Sequence, residues 1–209
     1  MTEPMSQNHW HSRGALAGQG SATTLSIRSA GPGVTLTEHA PGLIYHVLAR
    51  RGAAGDVRRV IGGVIGCDVP AEARVAIGTA GNVVWSGPGQ WLVMADSNSA
   101  ITRTLPDALA AIAAVIDQSG SRLIVRLSGQ DVRRCLGKVV GLDLHPAVFA
   151  VGHVAMTDVA HVPVHVWRSV DGDGQAVFHL AAPRSYAGSV WHALVAAAAE
   201  YGLDARPLE

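Results

Sequence analysis

Ten histidines and two cysteines are the residues from which this sequence could build a metal centre or a nucleophilic pair, and their spacing supports neither. His161 and His165 would share one strand face with Trp167, but two ligands on one strand need convergent partners. The chain has no Cys-x-x-Cys and no His-Glu-x-x-His to supply them. Ordinary strand histidines are the simpler reading. Pro163 between them lacks a donor for a ladder, so it predicts an edge strand or bulge open to pairing with another chain. Cys67 and Cys135 read as small buried thiols in a reducing compartment, because one pair in 209 residues is no disulfide framework. Asp171-Gly172-Asp173-Gly174 resembles the start of a calcium loop, yet Ala182 stands at the twelfth place where a bidentate Glu is needed. A hairpin turn is expected there, and Asp117-Gln118-Ser119 is expected to be a solvated connector. No nucleophile elbow or phosphate-binding loop is present. Gly31-Pro32-Gly33 and Gly87-Pro88-Gly89 lack the strand-to-helix context of a dinucleotide fingerprint and read as turns. The sequence therefore assigns no catalytic residue, no cofactor-binding residue and no metal ligand.

The elements that would carry such groups are organised by an internal repeat. Asp56-Val57-Arg58-Arg59-Val60-Ile61-Gly62-Gly63-Val64-Ile65-Gly66-Cys67-Asp68-Val69 recurs 75 residues later as Asp131-Val132-Arg133-Arg134-Cys135-Leu136-Gly137-Lys138-Val139-Val140-Gly141-Leu142-Asp143-Leu144. The quartet Asp-Val-Arg-Arg is intact, and Gly, Val, Gly and Asp follow at matching places. In each copy apolar residues fall at i, i+3, i+4, i+7 and i+8, the stripe of an amphipathic helix. Ser128-x-x-Asp131 suggests a capping box for the second copy. Gly66 and Gly141 stand where each helix would end in a left-handed residue. Two equivalent helices imply two related halves.

Composition sets the class. Hydrophobic residues make up 48% and charged residues 15%, against a usual charged share of about 25%. The chain is globular, and its charge-poor surface fits either a subunit covered by partners or the alanine-rich output of a GC-rich genome. With 16 basic and 16 acidic residues there is no broad basic field for nucleic acid or an anionic membrane. The longest apolar run, 108–116, is far below the roughly 20 residues of a membrane span. The N-terminus lacks an apolar signal core, and the expected location is the cytoplasm.

Residues 1–33 read as a mobile tail in which Trp10, between His9 and His11, has no assigned role. Strands are expected at 43–48, 74–78 and 82–85, and a turn over 86–90 leads into Trp91–Met94. A helix is expected from about 99 to 116, capped by Ser97 or Ser99 and kinked at Pro106. The second half begins with a strand at 122–127 that turns Leu123, Val125 and Leu127 to one face. Strands at 153–159, 162–167 and 176–181 follow, then a closing helix over 185–201 that stops at Gly202. The fold class is therefore α+β, with two pseudo-repeated strand-helix-strands-helix halves, about 40–118 and 119–203, within one domain over 34–205. Its sheets are mainly antiparallel with helices packed on them. Trp91 and Trp191 lie on apolar stripes and are expected to be buried.

Trp85-Ser86-Gly87-Pro88-Gly89-Gln90-Trp91-Leu92, then Asp117-Gln118-Ser119 with 122–129, and then Gly141-Leu142-Asp143-Leu144-His145-Pro146 with Phe149 form three segments. In combination they resemble the gamma subunit of heterotetrameric sarcosine oxidase. Thr157, Ala160-His161, Val166-Trp167-Arg168, and Arg184-Ser185-Tyr186-Ala187 through Trp191 to Glu200-Tyr201-Gly202 extend the likeness, which covers about 35–205. The resemblance implies a fold like the folate-binding domain of glycine-cleavage aminomethyltransferase. It also implies a non-catalytic subunit partnered by alpha, beta and delta subunits. The complex of that family demethylates sarcosine oxidatively to glycine, forms H2O2 and passes the one-carbon unit to tetrahydrofolate. FAD, FMN, NAD, zinc and the folate site are then held by the partner subunits. A free-standing folate-binding or aminomethyl-transfer protein is the alternative implied by the fold likeness alone.

Overall fold

In the computed structural model, residues 14–18, 22–25, 31–40, 42–96 and 101–208 are described. His9, Trp10, His11, Ser97 and Ser99 lie outside these residues. The first half runs β1 (Thr23–Leu25), β2 (Val34–His39), β3 (Leu43–Ala49), α1 (Ala54–Ile65), β4 (Val75–Ile77), β5 (Asn82–Gly87), β6 (Gln90–Ala95), α2 (Ile101–Leu109) and β7 (Ala113–Asp117). The second runs β8 (Arg122–Ser128), α3 (Val132–Leu136), β9 (Val154–Val159), β10 (Val162–Val170), β11 (Ala176–Pro183), α4 (Ala187–Ala198) and β12 (Leu203–Arg206).

The strands form two sheets, ordered β4-β5-β6-β3-β7 and β9-β10-β11-β8-β2-β12-β1 from matching edges. The cores β4-β5-β6-β3 and β9-β10-β11-β8 have one topology, each a strand, a helix and a three-stranded meander that returns beside the first strand. The predicted pseudo-repeat is thus present in the strand order. In the large sheet β2 occupies the place next to β8 that β7 occupies next to β3 in the small one. Strand β12 then joins β2 in parallel.

Burial defines four layers. Helices α3 and α4 cover the outer face of the large sheet, where Leu123, Val125 and Leu127 meet Val132, Leu136, Val190 and Leu194. Helices α1 and α2 cover the small sheet, where Val57, Ile61, Leu105 and Leu109 pack on Val47, Val93 and Trp91. Between the sheets lies a third apolar cluster including Ile44, Leu92, Met94, Ile124 and Trp167. Strand β8 therefore faces apolar surroundings on both sides, alternating Leu123, Val125 and Leu127 outward with Ile124 inward.

The repeated helices share one device. Arg59 Nη1 lies 2.8 Å from Asp56 Oδ1 and Arg134 Nη1 lies 3.1 Å from Asp131 Oδ1, both three residues apart. The ends differ. Gly66 adopts φ 79° and donates to Gly62 O, as expected, but α3 ends at Leu136 with Gly137 at φ −59°. Lys138 N and Val139 N bond three residues back, to Cys135 O and Leu136 O, so the chain tightens into turns well before Gly141. The capping box does not form either, because α3 starts at Val132 and Asp131 is itself the N-cap residue.

Four other expectations are corrected. The helix predicted to reach residue 116 ends at Leu109, and Ala113–Asp117 is a strand paired with Tyr45–Ala49. The alanine-rich run favours helix locally, and only the open flank of β3 selects the strand. Pro163 lies on an inner strand, yet β11 pairs only with residues 165–170 of β10, so no donor is missed there. His161 is not on a strand: Ala160 and His161 take φ 50° and 65° in the two-residue turn between β9 and β10. The stretch read as a mobile tail contains packed residues, since Leu16 is fully buried and β1 pairs with β12. Buried Glu38 fixes that region by accepting from Ala15 N (2.5 Å) and Leu208 N (2.9 Å).

A glycine crossing joins β2 to the turn before α3. Gly129 has φ 114°, and a Cβ there would meet Gly33 O at 2.3 Å. Gly129→Ala is expected to destabilise the chain by about 2 kcal/mol or more, since strain and backbone contact act together. Equilibrium urea unfolding checks this, and an unchanged midpoint would refute it.

Candidate functional site

The polar side chains that converge do so between the sheets. One rung crosses the inner face of the large sheet, with Trp167 opposite His179, His179 opposite Arg126, and Arg126 opposite Thr37. Direct cross-strand partners stand about 5 Å apart, so register alone aligns an indole, an imidazole and a guanidinium. The Trp167 and His179 rings stack at 5.1 Å with planes 7° apart. Ser169 Oγ lies 2.9 Å from His179 Nε2. His39 follows Thr37 on the same face of β2. Val75, Ile77, Asn82 and Met94 form the opposite wall, exposed Asp96 stands at the rim, and the cleft encloses about 540 Å³.

The electrostatics keep the imidazoles neutral. Burial, then Arg126 and His39, lower the His179 pKa to about 4. Burial and then Arg126 lower that of His39. At neutral pH His179 is a hydrogen-bonding group rather than a general base, which works best with a pKa near the operating pH. Arg126 donates through Nη1 to Ser128 Oγ at 3.3 Å and, among the described residues, forms no ion pair.

A second polar group crosses the layer. His165 on β10 is 6% exposed, and its Nε2 lies 2.9 Å from Ser86 Oγ on β5. Burial, then Arg122 and His46, lower its pKa to about 4. This pair ties one sheet to the other.

The residues weighed from the sequence have structural roles. Asp117 Oδ1 accepts from Ser119 N and Oγ, while Ser119 Oγ accepts from Ile44 N. Gln118 Oε1 accepts from Arg122 Nε. The triplet fastens β7 to β8 and β3, more than a solvated connector would. Asp171 Oδ1 accepts from Asp173 N and Gln175 N, closing the expected hairpin turn. Cys135 is buried, Cys67 half-buried, and both are free. Burial pushes the Cys135 thiol up to about 11, leaving it unreactive. Among the described residues no three His, Cys, Asp or Glu side chains converge as metal ligands. The sequence reading missed His39, Arg126, Ser169 and His179. The available signal was alternation: with Leu123, Val125 and Leu127 facing one way, Arg126 had to face the other.

Paired sheets with helices on both outer faces, built from two matching halves, place the chain in the structural class of glycine-cleavage aminomethyltransferases. The superposition on aminomethyltransferase T from Bartonella henselae has a TM-score of 0.62 over 85% of this chain and 48% of that one, at 12% identity. Residues 51–200 match the family model described as sarcosine oxidase, gamma subunit family, and the chain belongs to that family. It is 33% identical over 153 residues to the sarcosine oxidase subunit gamma of an Arthrobacter species, covering 71% of this chain and 73% of the relative. A chain of the heterotetrameric sarcosine oxidase from Corynebacterium sp. U-96, solved with pyrrole 2-carboxylate, superposes with a TM-score of 0.75 at 28% identity. That match covers 90% of this chain and 95% of the other. No helix among the described residues is long and apolar enough to cross a membrane.

Proposed function

We propose that this chain is the non-catalytic assembly subunit of a heterotetrameric sarcosine oxidase, bound to alpha, beta and delta subunits in the cytoplasm. The complex demethylates sarcosine to glycine, reduces O2 to H2O2 and delivers the one-carbon unit to tetrahydrofolate. FAD, FMN, NAD, tetrahydrofolate and zinc are assigned to the partner subunits, and the single domain of two halves over 34–205 supplies surface. The observation that carries this reading is the near end-to-end superposition on a chain of a heterotetramer. Surface composition agrees: Ile77 is 71% exposed and Met156 56%, and Val148 and Val151 are also exposed, apolar area that a partner would cover.

Co-expression tests the proposal. With all four genes a flavin-loaded, sarcosine-oxidising complex is expected, and omission of this chain is expected to abolish its recovery. A fully active, flavin-loaded complex assembled without the chain would end the reading.

A further inference from the structure

The cleft between the sheets has the features of a ligand site that the assembly role does not use. A half-buried guanidinium, Arg126, faces it without an ion pair among the described residues. An arginine that lines a cleft without a paired carboxylate presents its planar set of N–H donors to an incoming anion. The neighbours supply directional hydrogen bonding with little competing charge. His179 and His39 flank Arg126, and the Ser169 hydroxyl is held against His179 at 2.9 Å. The remaining surface is apolar and partly aromatic, from Trp167, Ile124 and Met94.

We propose that this cleft binds a small planar monocarboxylate, an aromatic or heteroaromatic acid of about the size of benzoate, with its carboxylate on Arg126 and its ring between the sheets. The planar guanidinium fork suits a carboxylate, which accepts two parallel N–H bonds. At about 540 Å³ the space exceeds that of a bare inorganic anion and lies within the usual range for small-molecule pockets. Facing sheets leave a slab-shaped gap, which admits a flat ring more readily than a branched chain. Asp96 at the rim opposes a second negative group near the mouth, so a single carboxylate is favoured over a diacid. The neutral imidazoles donate an N–H to the bound oxygens and, near an anion, hold a proton more tightly.

The probe is benzoate, added to the full-length chain and followed by calorimetry and by the imidazole resonances of His39 and His179. Binding with Kd on the order of 1 mM is expected, together with an upward shift of the His179 pKa. Arg126→Gln is expected to weaken binding about tenfold or more, since it removes a charge-assisted bidentate contact. Arg126→Lys, which keeps the charge without the fork, is expected to fall between. Acetate is expected to bind at least about tenfold more weakly than benzoate, because it leaves the apolar walls unfilled. Absence of heat and of imidazole shifts at about 10 mM benzoate would overturn the proposal. Equal affinity for acetate and benzoate, or binding unaffected in a folded Arg126→Lys variant, would overturn it as well. The acetate comparison needs no substitution and stands if Arg126→Gln fails to fold.

Discussion

Trp91→Ala is expected to destabilise the chain by about 3–5 kcal/mol, enough to lower the melting temperature by roughly 10 °C in a protein of this size. Two effects combine. The indole is 1% exposed on the helix-covered face of the small sheet, among Val47, Val57, Ile61 and Leu105, so its removal leaves a large apolar cavity. Its Nε1 also donates to Pro70 O at 2.8 Å, and the substitution strips that carbonyl of its partner. Trp191, 5% exposed on α4 in the other core, is expected to show a loss of similar size. Each is enclosed in a different outer cluster, so the double variant should show nearly additive losses. Calorimetric melting of the two single variants and the double checks this. A near-wild-type melting temperature for Trp91→Ala would show that the small sheet is not closed by its helices.

How much could be read before the structure depended on the range of the deciding interaction. Helix α1, the hairpin through Pro88-Gly89 and helix α4 are fixed by local periodicity and turn chemistry, and all three formed where the sequence placed them. The repeat gave the pairing of halves because Asp56–Arg59 and Asp131–Arg134 are the same local ion pair. Strand β7 was misread because Ala113–Asp117 has no local preference against helix. Its state is decided by β3, some seventy residues away. Strands β2 and β12 form a parallel pair from opposite ends of the chain, a contact with no local signature, although Val34, Leu36 and Glu38 do alternate onto the helix-covered face. The cleft was hidden for the same reason: Arg126, His179 and Trp167 become neighbours only through the register of three strands, and His39 joins them only when β2 lies beside β8. The resemblance to the gamma subunit family was carried by short motifs such as Gly87-Pro88-Gly89, at the turn between β5 and β6, and Arg184-Ser185-Tyr186, just before α4.

The buried His165 and half-buried His179 imidazoles make the fold acid-sensitive in a defined window. His165 and His179 each have a pKa lowered to about 4, principally by burial, whereas in the unfolded chain they titrate near 6.5. Between those values the unfolded state binds protons that the folded state refuses, so stability rises with pH across the window and falls as pH is lowered through it. Above pH 6.5 neither state is protonated and the effect vanishes. By pH 5 each histidine is expected to have removed about 2 kcal/mol, and by pH 4 about 3 kcal/mol, with the loss levelling off below that. His39 and His46 are shifted in the same direction by burial and by Arg126 and Arg122 respectively, and they steepen the decline. The interval from pH 7 to pH 5 isolates the effect because most carboxylates remain ionised throughout it. Urea unfolding across that interval should show a loss of about 4 kcal/mol from the two imidazoles together. His165→Gln, which can keep a hydrogen bond to Ser86, should remove about half of it. Flat stability between pH 7 and 5 would mean that water solvates His165 as freely as in the unfolded chain, and the His165–Ser86 contact between the two sheets would then be wrong. An anion held by Arg126 would raise the His179 pKa, so benzoate should flatten the curve for the wild type and leave that of Arg126→Gln unchanged.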